Sequence, residues 1–294
     1  MAASKPLVRH EMRGPVLLLT LDNPPVNVLS TPVVAALGAA LDGAEADARV
    51  RAVVLASAAE KAFAAGADIR EMRALDPSDA QAHGGRGQSL TRRIEQLPLP
   101  VLAAVHGVCF GGGLEVALAC DVLLASEDAQ FGQPEINLGV MPGWGGTRRL
   151  PRRIGAARAR RWILTGRPVP AREAYDAGLL DRVVPRAELL PAALALATEL
   201  AEKPPVALAA AKYALLQSID PGIEGGLAYE LDLWARLFGT QGQRERMAAF
   251  VEKRPPPALG RDRWSVESEG FPWAERGSAS PGGKRDKASA PPRR

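Results

Sequence analysis

Short apolar runs alternate along the first part of the chain with segments whose apolar positions recur every three or four residues. Pro15-Val-Leu-Leu-Leu-Thr-Leu21 is the first such run, closed by Asp22-Asn-Pro-Pro25, and it predicts a buried strand. Ser30-Thr31-Pro32 pairs a hydroxyl residue with proline in a first turn, which predicts a capped helix over about 31–46. Residues 51–56 read as a second strand, followed by a loop rich in Ala and Gly through Gly66. A helix is predicted over 88–97, a strand over 101–105, a glycine turn, a helix from about Leu114, and a strand over 121–125. Strands and helices in alternation argue for an α/β fold with parallel pairing and crossover helices.

From Thr147 the pattern is helical: 147–154, 156–164, 171–177, 187–202, 206–218, 224–238 and 244–252, with one short strand at 181–184. Lys203-Pro-Pro205 is a natural break. The expected organisation is a mixed body over 1–203, a helical C-terminal region over 204–254, and a flexible Pro/Gly/Ser-rich basic tail over 255–294. Trp264, Phe271 and Trp273 within that tail have the bulk to dock on the body.

Composition narrows the class. With 47% hydrophobic and 24% charged residues over 294 positions, the chain can bury a full core, and disordered, collagen-like and coiled-coil readings fall away. The formal charge of +4 is unevenly placed. Residues 258–294 carry eight Lys/Arg and five Asp/Glu, or +3, which leaves +1 on the body. No strong nucleic-acid footprint follows. Residues 97–114 hold no Asp, Glu, Lys or Arg, but their prolines and glycines fit a strand, a turn and a helix start better than a membrane span. The N-terminus lacks the apolar core of a secretory signal. Cys109 and Cys120 both sit in apolar sequence and read as buried free thiols of a reducing compartment, consistent with a cytoplasmic protein.

Two glycine-rich stretches carry the candidate chemistry: Ala64-Ala-Gly-Ala-Asp-Ile-Arg70 and Phe110-Gly-Gly-Gly-Leu-Glu115. Consecutive glycines between a strand and a helix let backbone approach a ligand and expose N–H groups at the positive helix end. Read alone, the triple glycine serves equally well as a tight turn. Two glutamates stand in apolar or turn sequence, Glu115 and Glu135. Burial raises a carboxyl pKa and suits it to proton transfer near neutrality, although either one alone also fits a capping or paired role. No dinucleotide fingerprint, phosphate loop or nucleophile elbow occurs. His10, His83 and His106 lack metal-ligand spacing, and His106 reads as a packed residue at a strand end. The pairs Arg148-Arg149 and Arg152-Arg153 could contact phosphate but fit a solvated helix face better.

The combination is specific. Leu21-Asp-Asn-Pro-Pro-Val-Asn27, Lys61-Ala-Phe-Ala-Ala-Gly-Ala-Asp-Ile-Arg-Glu-Met72, Ala104-Val-His-Gly-Val-Cys-Phe-Gly-Gly-Gly-Leu-Glu115, Ala129-Gln-Phe-Gly-Gln-Pro-Glu135, Pro142-Gly-Trp-Gly-Gly-Thr-Arg-Arg-Leu150 and Met247-Ala-Ala-Phe-Val-Glu-Lys-Arg254 occur in one order. Through them the chain resembles the enoyl-CoA hydratase/isomerase (crotonase) family over about residues 15–254. The resemblance implies a crotonase-type spiral of repeated β-β-α units with C-terminal helices that drive trimerisation, commonly as a dimer of trimers. It implies an acyl-CoA thioester as substrate, with no separate cofactor, no metal, and neither membrane nor nucleic acid as partner.

The resemblance also assigns residues. An oxyanion hole of two backbone N–H groups falls on Ala67 and Gly112. Ala65, Ala67, Asp68, Ile69 and Arg70 line the coenzyme A path, Gly143 joins Gly112 among the acyl-CoA contacts, and Phe250 and Lys253 approach the coenzyme A. Glutamate at both 115 and 135 matches the hydratases, with Glu115 activating the water that attacks C3 and Glu135 shuttling the proton to C2. A 3-to-2-enoyl-CoA isomerase, or another crotonase-type reaction on an acyl-CoA, is the alternative, since isomerases usually keep only the second acid. An RNA-binding or scaffold protein using the basic tail is the distant one. Gly242 and Arg246 depart from the family pattern, where an acidic residue and a glycine are usual.

Overall fold

The computed structural model describes residues 5–217, 223–238, 240–255 and 271–274. Strands β1 (Val8–Arg13) and β2 (Val16–Leu21) form a hairpin, and α1 (Thr31–Ala46) follows. Three strand-strand-helix turns come next. The first is β3 (Ala52–Ser57), β4 (Ala62–Ala64), α2 (Ile69–Met72) and α3 (Pro77–Glu95). The second is β5 (Val101–Val105), β6 (Val108–Phe110) and α4 (Gly112–Leu118). The third is β7 (Val122–Ser126), β8 (Gln130–Gly132), a 3-10 turn (Pro134–Leu138), α5 (Gly146–Ile154) and α6 (Ala156–Thr165). Then come β9 (Val169–Pro170), α7 (Ala171–Asp176), β10 (Arg182–Val184), α8 (Arg186–Ala201), α9 (Pro205–Gln217), α10 (Ile223–Leu237) and α11 (Gln241–Val251).

The first strand of each turn joins a six-stranded sheet of order β1-β2-β3-β5-β7-β10, and the second joins a four-stranded sheet of order β4-β6-β8-β9. Among the named strands of the described residues, β1–β2 and β8–β9 pair antiparallel and the other pairs are parallel. The chain thus climbs as a spiral of β-β-α units, as the resemblance implies. Residues 97–114 form β5, β6 and the start of α4, and among the described residues no helix is long and apolar enough to cross a membrane.

The unbroken apolar runs have a direct cause. Val53, Leu55, Val101, Ala103 and Val105 point into the main core with Val33, Leu37 and Leu41 of α1. Their neighbours Ala52, Val54, Leu102 and Ala104 point the other way, onto Leu189, Ala193 and Ala197 of α8. Helices therefore cover both faces of the central strands, which removes any polar alternation.

Several expectations need correction. Helix α3 begins at Pro77, not near 88: the Asp76 carboxylate caps it by accepting from Asp79 N–H. The helix runs through Gly84, Gly85 and Gly87. Ser30 occupies the N-cap position of α1 without its hydroxyl capping the helix. The cap comes from Glu71, whose carboxylate accepts from the Thr31 N–H at 3.0 Å and hydroxyl at 2.8 Å. The arginines of α5 are not all solvated. Arg149 forks onto Glu95 through two 2.6 Å bonds, and Arg153 donates to the Cys120 carbonyl at 2.6 Å. Both cysteines are buried and free as expected, and burial pushes the Cys120 thiol up to about 12.

Of the expected flexible tail, only Pro255 and residues 271–274 are among the described residues. There Phe271 and Trp273 are buried against Val206, Ala209, Ala210 and Tyr213 of α9, so part of this segment docks on the C-terminal helical region. Trp264 lies outside the described residues. Lys212 anchors α9 itself: its buried ammonium donates to Asp121 at 2.8 Å and to the carbonyls of Leu99 and Ile94 at 3.0 and 3.2 Å.

Candidate active site

Three successive turns of the spiral bring the candidate residues to one place. The segment after β4 carries Ala67, the first turn of α4 carries Gly112 and Glu115, and the 3-10 turn after β8 carries Glu135. Parallel pairing of β4, β6 and β8 sets their C-terminal ends side by side. Gly113 has to be glycine, because a Cβ there would lie 2.2 Å from the carbonyl oxygen of Ala64. That close approach draws the end of β4 onto the start of α4. A Cβ on Gly66 would lie 3.7 Å from the Gly112 nitrogen, and one on Gly112 would lie 3.4 Å from the Ala67 nitrogen. The two expected oxyanion amides are therefore neighbours, and the N–H of Gly112 belongs to the unpaired first turn of α4.

Asn27 holds the Ala67 side of this arrangement. It is fully buried, and its amide nitrogen donates to Ser57 Oγ at 2.7 Å and to the Phe63 carbonyl at 3.0 Å. Its Oδ1 accepts the Asn23 N–H at 2.7 Å. Next to it, Leu29 N–H donates to the Gly66 carbonyl at 2.8 Å and Ala65 N–H to the Val26 carbonyl at 3.0 Å. Asn27→Ala leaves buried acceptors unpaired and places alanine at a φ of 49°. The expected loss is about 2–3 kcal/mol of folding stability, read as a lower urea midpoint with unchanged slope.

Glu115 is 2% exposed, and its Oε1 accepts the N–H groups of Trp144 and Gly146, both at 2.7 Å. Burial raises its pKa, while these two N–H groups and nearby Arg149 oppose the rise. Glu135 is partly buried, and burial, aided by the charge of Glu115, raises it to about 7. Gln133, fully buried, sits beside both. With its amide nitrogen toward Glu135 it donates to Oε1 at 2.9 Å and Oε2 at 3.1 Å. A Cβ on Gly146 would be 2.6 Å from the Gln133 amide and 3.1 Å from Glu115 Oε1. One on Gly111 would be 3.0 Å from Glu135 Oε1. Two carboxyl groups with raised pKa thus flank a space bordered by two backbone N–H donors, an arrangement able to move a proton at a carbon beside a stabilised oxyanion.

The remaining expected residues fall in two groups. Ala65 and Asp68 flank Ala67, and Asp68 caps α2 by accepting from Arg70 N–H at 2.8 Å. Ile69 and Arg70 are exposed at the rim, and Gly143 precedes Trp144 and takes a 2.9 Å bond from Gln88 on its carbonyl. Phe250, 85% exposed, and Lys253 lie at the end of α11. No hydrogen bond or ion pair among the described residues ties either to this site. His106 is spent elsewhere: its Nε2 bonds the Ala59 carbonyl at 2.8 Å, and burial lowers its pKa. No group of three His, Cys, Asp or Glu side chains able to hold a metal ion occurs among the described residues. Gln133 and Trp144 are site residues that sequence reasoning passed over, although both lie inside motifs it singled out.

Comparison with known proteins places the chain among relatives of one family. The family model described as enoyl-CoA hydratase/isomerase matches residues 11–260. A short-chain-enoyl-CoA hydratase of Clostridium acetobutylicum is 38% identical over 245 residues, 83% of this chain and 94% of that protein. The 2,3-dehydroadipyl-CoA hydratase of Escherichia coli is 41% identical over 259 residues, 88% of this chain and all of that protein. The crystal structure of an enoyl-CoA hydratase from Bacillus anthracis superposes with a TM-score of 0.81 at 36% identity, covering 85% of this chain and 98% of that one.

Proposed function

The chain belongs to the enoyl-CoA hydratase/isomerase family, and from that premise we propose that it adds water across the 2,3 double bond of a 2-trans-enoyl-CoA to give the 3-hydroxyacyl-CoA. The observation that carries this reading is the convergence of two raised-pKa carboxyl groups, Glu115 and Glu135, on a space bordered by the amides of Ala67 and Gly112. In the proposal the thioester oxygen accepts both N–H groups. Ionised Glu115 takes a proton from a water molecule whose oxygen bonds to C3. The electron pair of the double bond moves through C2 to the thioester oxygen, where the two fixed donors hold the enolate without reorganisation. Neutral Glu135 then delivers a proton to C2 as the carbonyl re-forms. Coenzyme A enters only as part of the substrate, with residues 65–70, Phe250 and Lys253 as its proposed contacts, and no separate cofactor is called on.

The test is loss of the conjugated thioester absorbance of crotonyl-CoA; a purified protein that leaves this signal unchanged is not a hydratase. The pH profile adds a prediction. Glu135 has to be neutral to donate, and its pKa stands near 7, so kcat/KM for hydration is expected to fall as pH rises through about 7. Glu135→Gln should flatten that limb in whatever rate remains. An alkaline limb that persists in the Gln variant would place the titrating group elsewhere.

Isomerisation is the second reading, favoured by Glu135 alone: a carboxyl group near 7 can carry a proton between C4 and C2 without help from Glu115. Turnover of a 3-enoyl-CoA that survives Glu115→Gln would select it. The same proposal includes a homotrimer, stacked in pairs, built through residues 204–254. Leu227, Leu231 and Trp234 of α10 and Phe250 and Val251 of α11 leave apolar surface exposed for it.

A further inference from the structure

Trp144 borders the place where the proposed thioester sits. A Cβ on Gly112 would lie 3.0 Å from Cε3 and Cζ3 of the indole and 3.4 Å from the Ala67 nitrogen. One point is thus in contact with both the ring and a proposed oxyanion donor. The ring reaches from there to α3, where a Cβ on Gly87 would lie only 2.1 Å from Cδ2 and Cε2. Gly87 stands inside a 19-residue helix, where glycine costs about 1 kcal/mol relative to alanine; the indole occupies the volume that any side chain there would need. Beyond the ring lies buried His83, its centroid 6.3 Å from that of the indole. Trp144 is itself 4% exposed and cannot swing aside without unpacking α3 from α4.

Its main chain is pinned as well. The Trp144 N–H donates to Glu115 Oε1 at 2.7 Å, and its carbonyl accepts from Thr91 Oγ1 at 2.9 Å and from Arg149 at 2.8 Å. A rigid wall of indole size therefore spans the gap between the N-terminus of α4 and the middle of α3, beside the proposed oxyanion donors.

We propose that Trp144 is the specificity-determining residue for acyl length, closing the acyl site after a few carbons and restricting the enzyme to short-chain enoyl-CoA. This rests on the hydratase reading for the identity of the site but concerns a different property of it. Substrates of four carbons fit in front of the ring. Longer unbranched chains have to displace it, and a packed interior resists that.

The experiment compares the full-length wild type with Trp144→Ala and Trp144→Phe. It measures kcat/KM for 2-trans-enoyl-CoA of four and ten carbons, and Kd for butyryl-CoA and decanoyl-CoA by calorimetry. The wild type is expected to favour the four-carbon substrate by on the order of 100-fold. Trp144→Ala should raise the ten-to-four ratio at least tenfold, with Trp144→Phe intermediate. The Phe variant, which keeps a ring against Gly87, guards against a folding failure of the Ala variant. Wild-type Kd values within threefold of each other, or a ten-to-four ratio unmoved by either substitution, overturn the proposal. Length-dependent binding of the saturated acyl-CoA without hydration of crotonyl-CoA would overturn the hydratase reading and leave the wall standing.

Discussion

Glu115→Gln and Glu135→Gln are each expected to lower the hydration of crotonyl-CoA by about 10²–10⁴-fold, with the thermal midpoint changing little. Glutamine at 115 keeps an oxygen able to accept the N–H groups of Trp144 and Gly146, both now at 2.7 Å. The 144–146 loop should therefore hold its place, and the loss should be in kcat rather than in folding. At 135, glutamine keeps the size of the side chain but can neither accept nor release the proton bound for C2. Because both groups act on one water and one enolate, the double variant should lose less than the product of the two single losses. If Glu115→Gln still hydrates while Glu135→Gln does not, water activation does not belong to Glu115. Full additivity would mean that the two carboxyl groups serve separate steps.

Much of this arrangement is legible in the residues because local chemistry dictates it. The apolar runs at 51–56 and 101–105 became β3 and β5, since strands covered on both faces carry no polar alternation. The triple glycine became the start of α4, and the contact between Gly113 and Ala64 needs no side chain at that position. What stayed hidden depends on partners distant in the chain. The two-residue to three-residue strands β4, β6, β8 and β9 are too short for a pattern, and only pairing within the second sheet defines them. The cap on α1 comes from Glu71, 40 residues away. Arg149 looked like a surface residue because its partner, Glu95, lies 54 residues away in the chain. Gln133 and Trp144 were visible as letters within motifs. Their roles depend on which way each side chain turns, and periodicity does not encode that.

Gly112→Ala is expected to reduce kcat/KM for crotonyl-CoA by about 10²–10³-fold, the loss typical of one oxyanion donor. A backbone N–H cannot be deleted by substitution, so the test has to be steric. The added methyl group would come within 3.0 Å of the Trp144 ring and 3.4 Å of the Ala67 nitrogen, entering the space assigned to the thioester oxygen. Flanking positions sharpen the result. Gly113→Ala would place its Cβ 2.2 Å from a main-chain oxygen, and is expected to damage folding as much as catalysis. Gly84→Ala has open space around its Cβ and lies on α3, so it should keep full activity and gain about 0.5–1 kcal/mol from helix propensity. Activity and urea midpoints of the three variants then separate a blocked donor from a strained turn. Hydration by Gly112→Ala within threefold of wild type would remove its amide from the oxyanion hole. Loss of turnover with an unshifted midpoint would keep it there, because the methyl group then obstructs the ligand and leaves the fold intact.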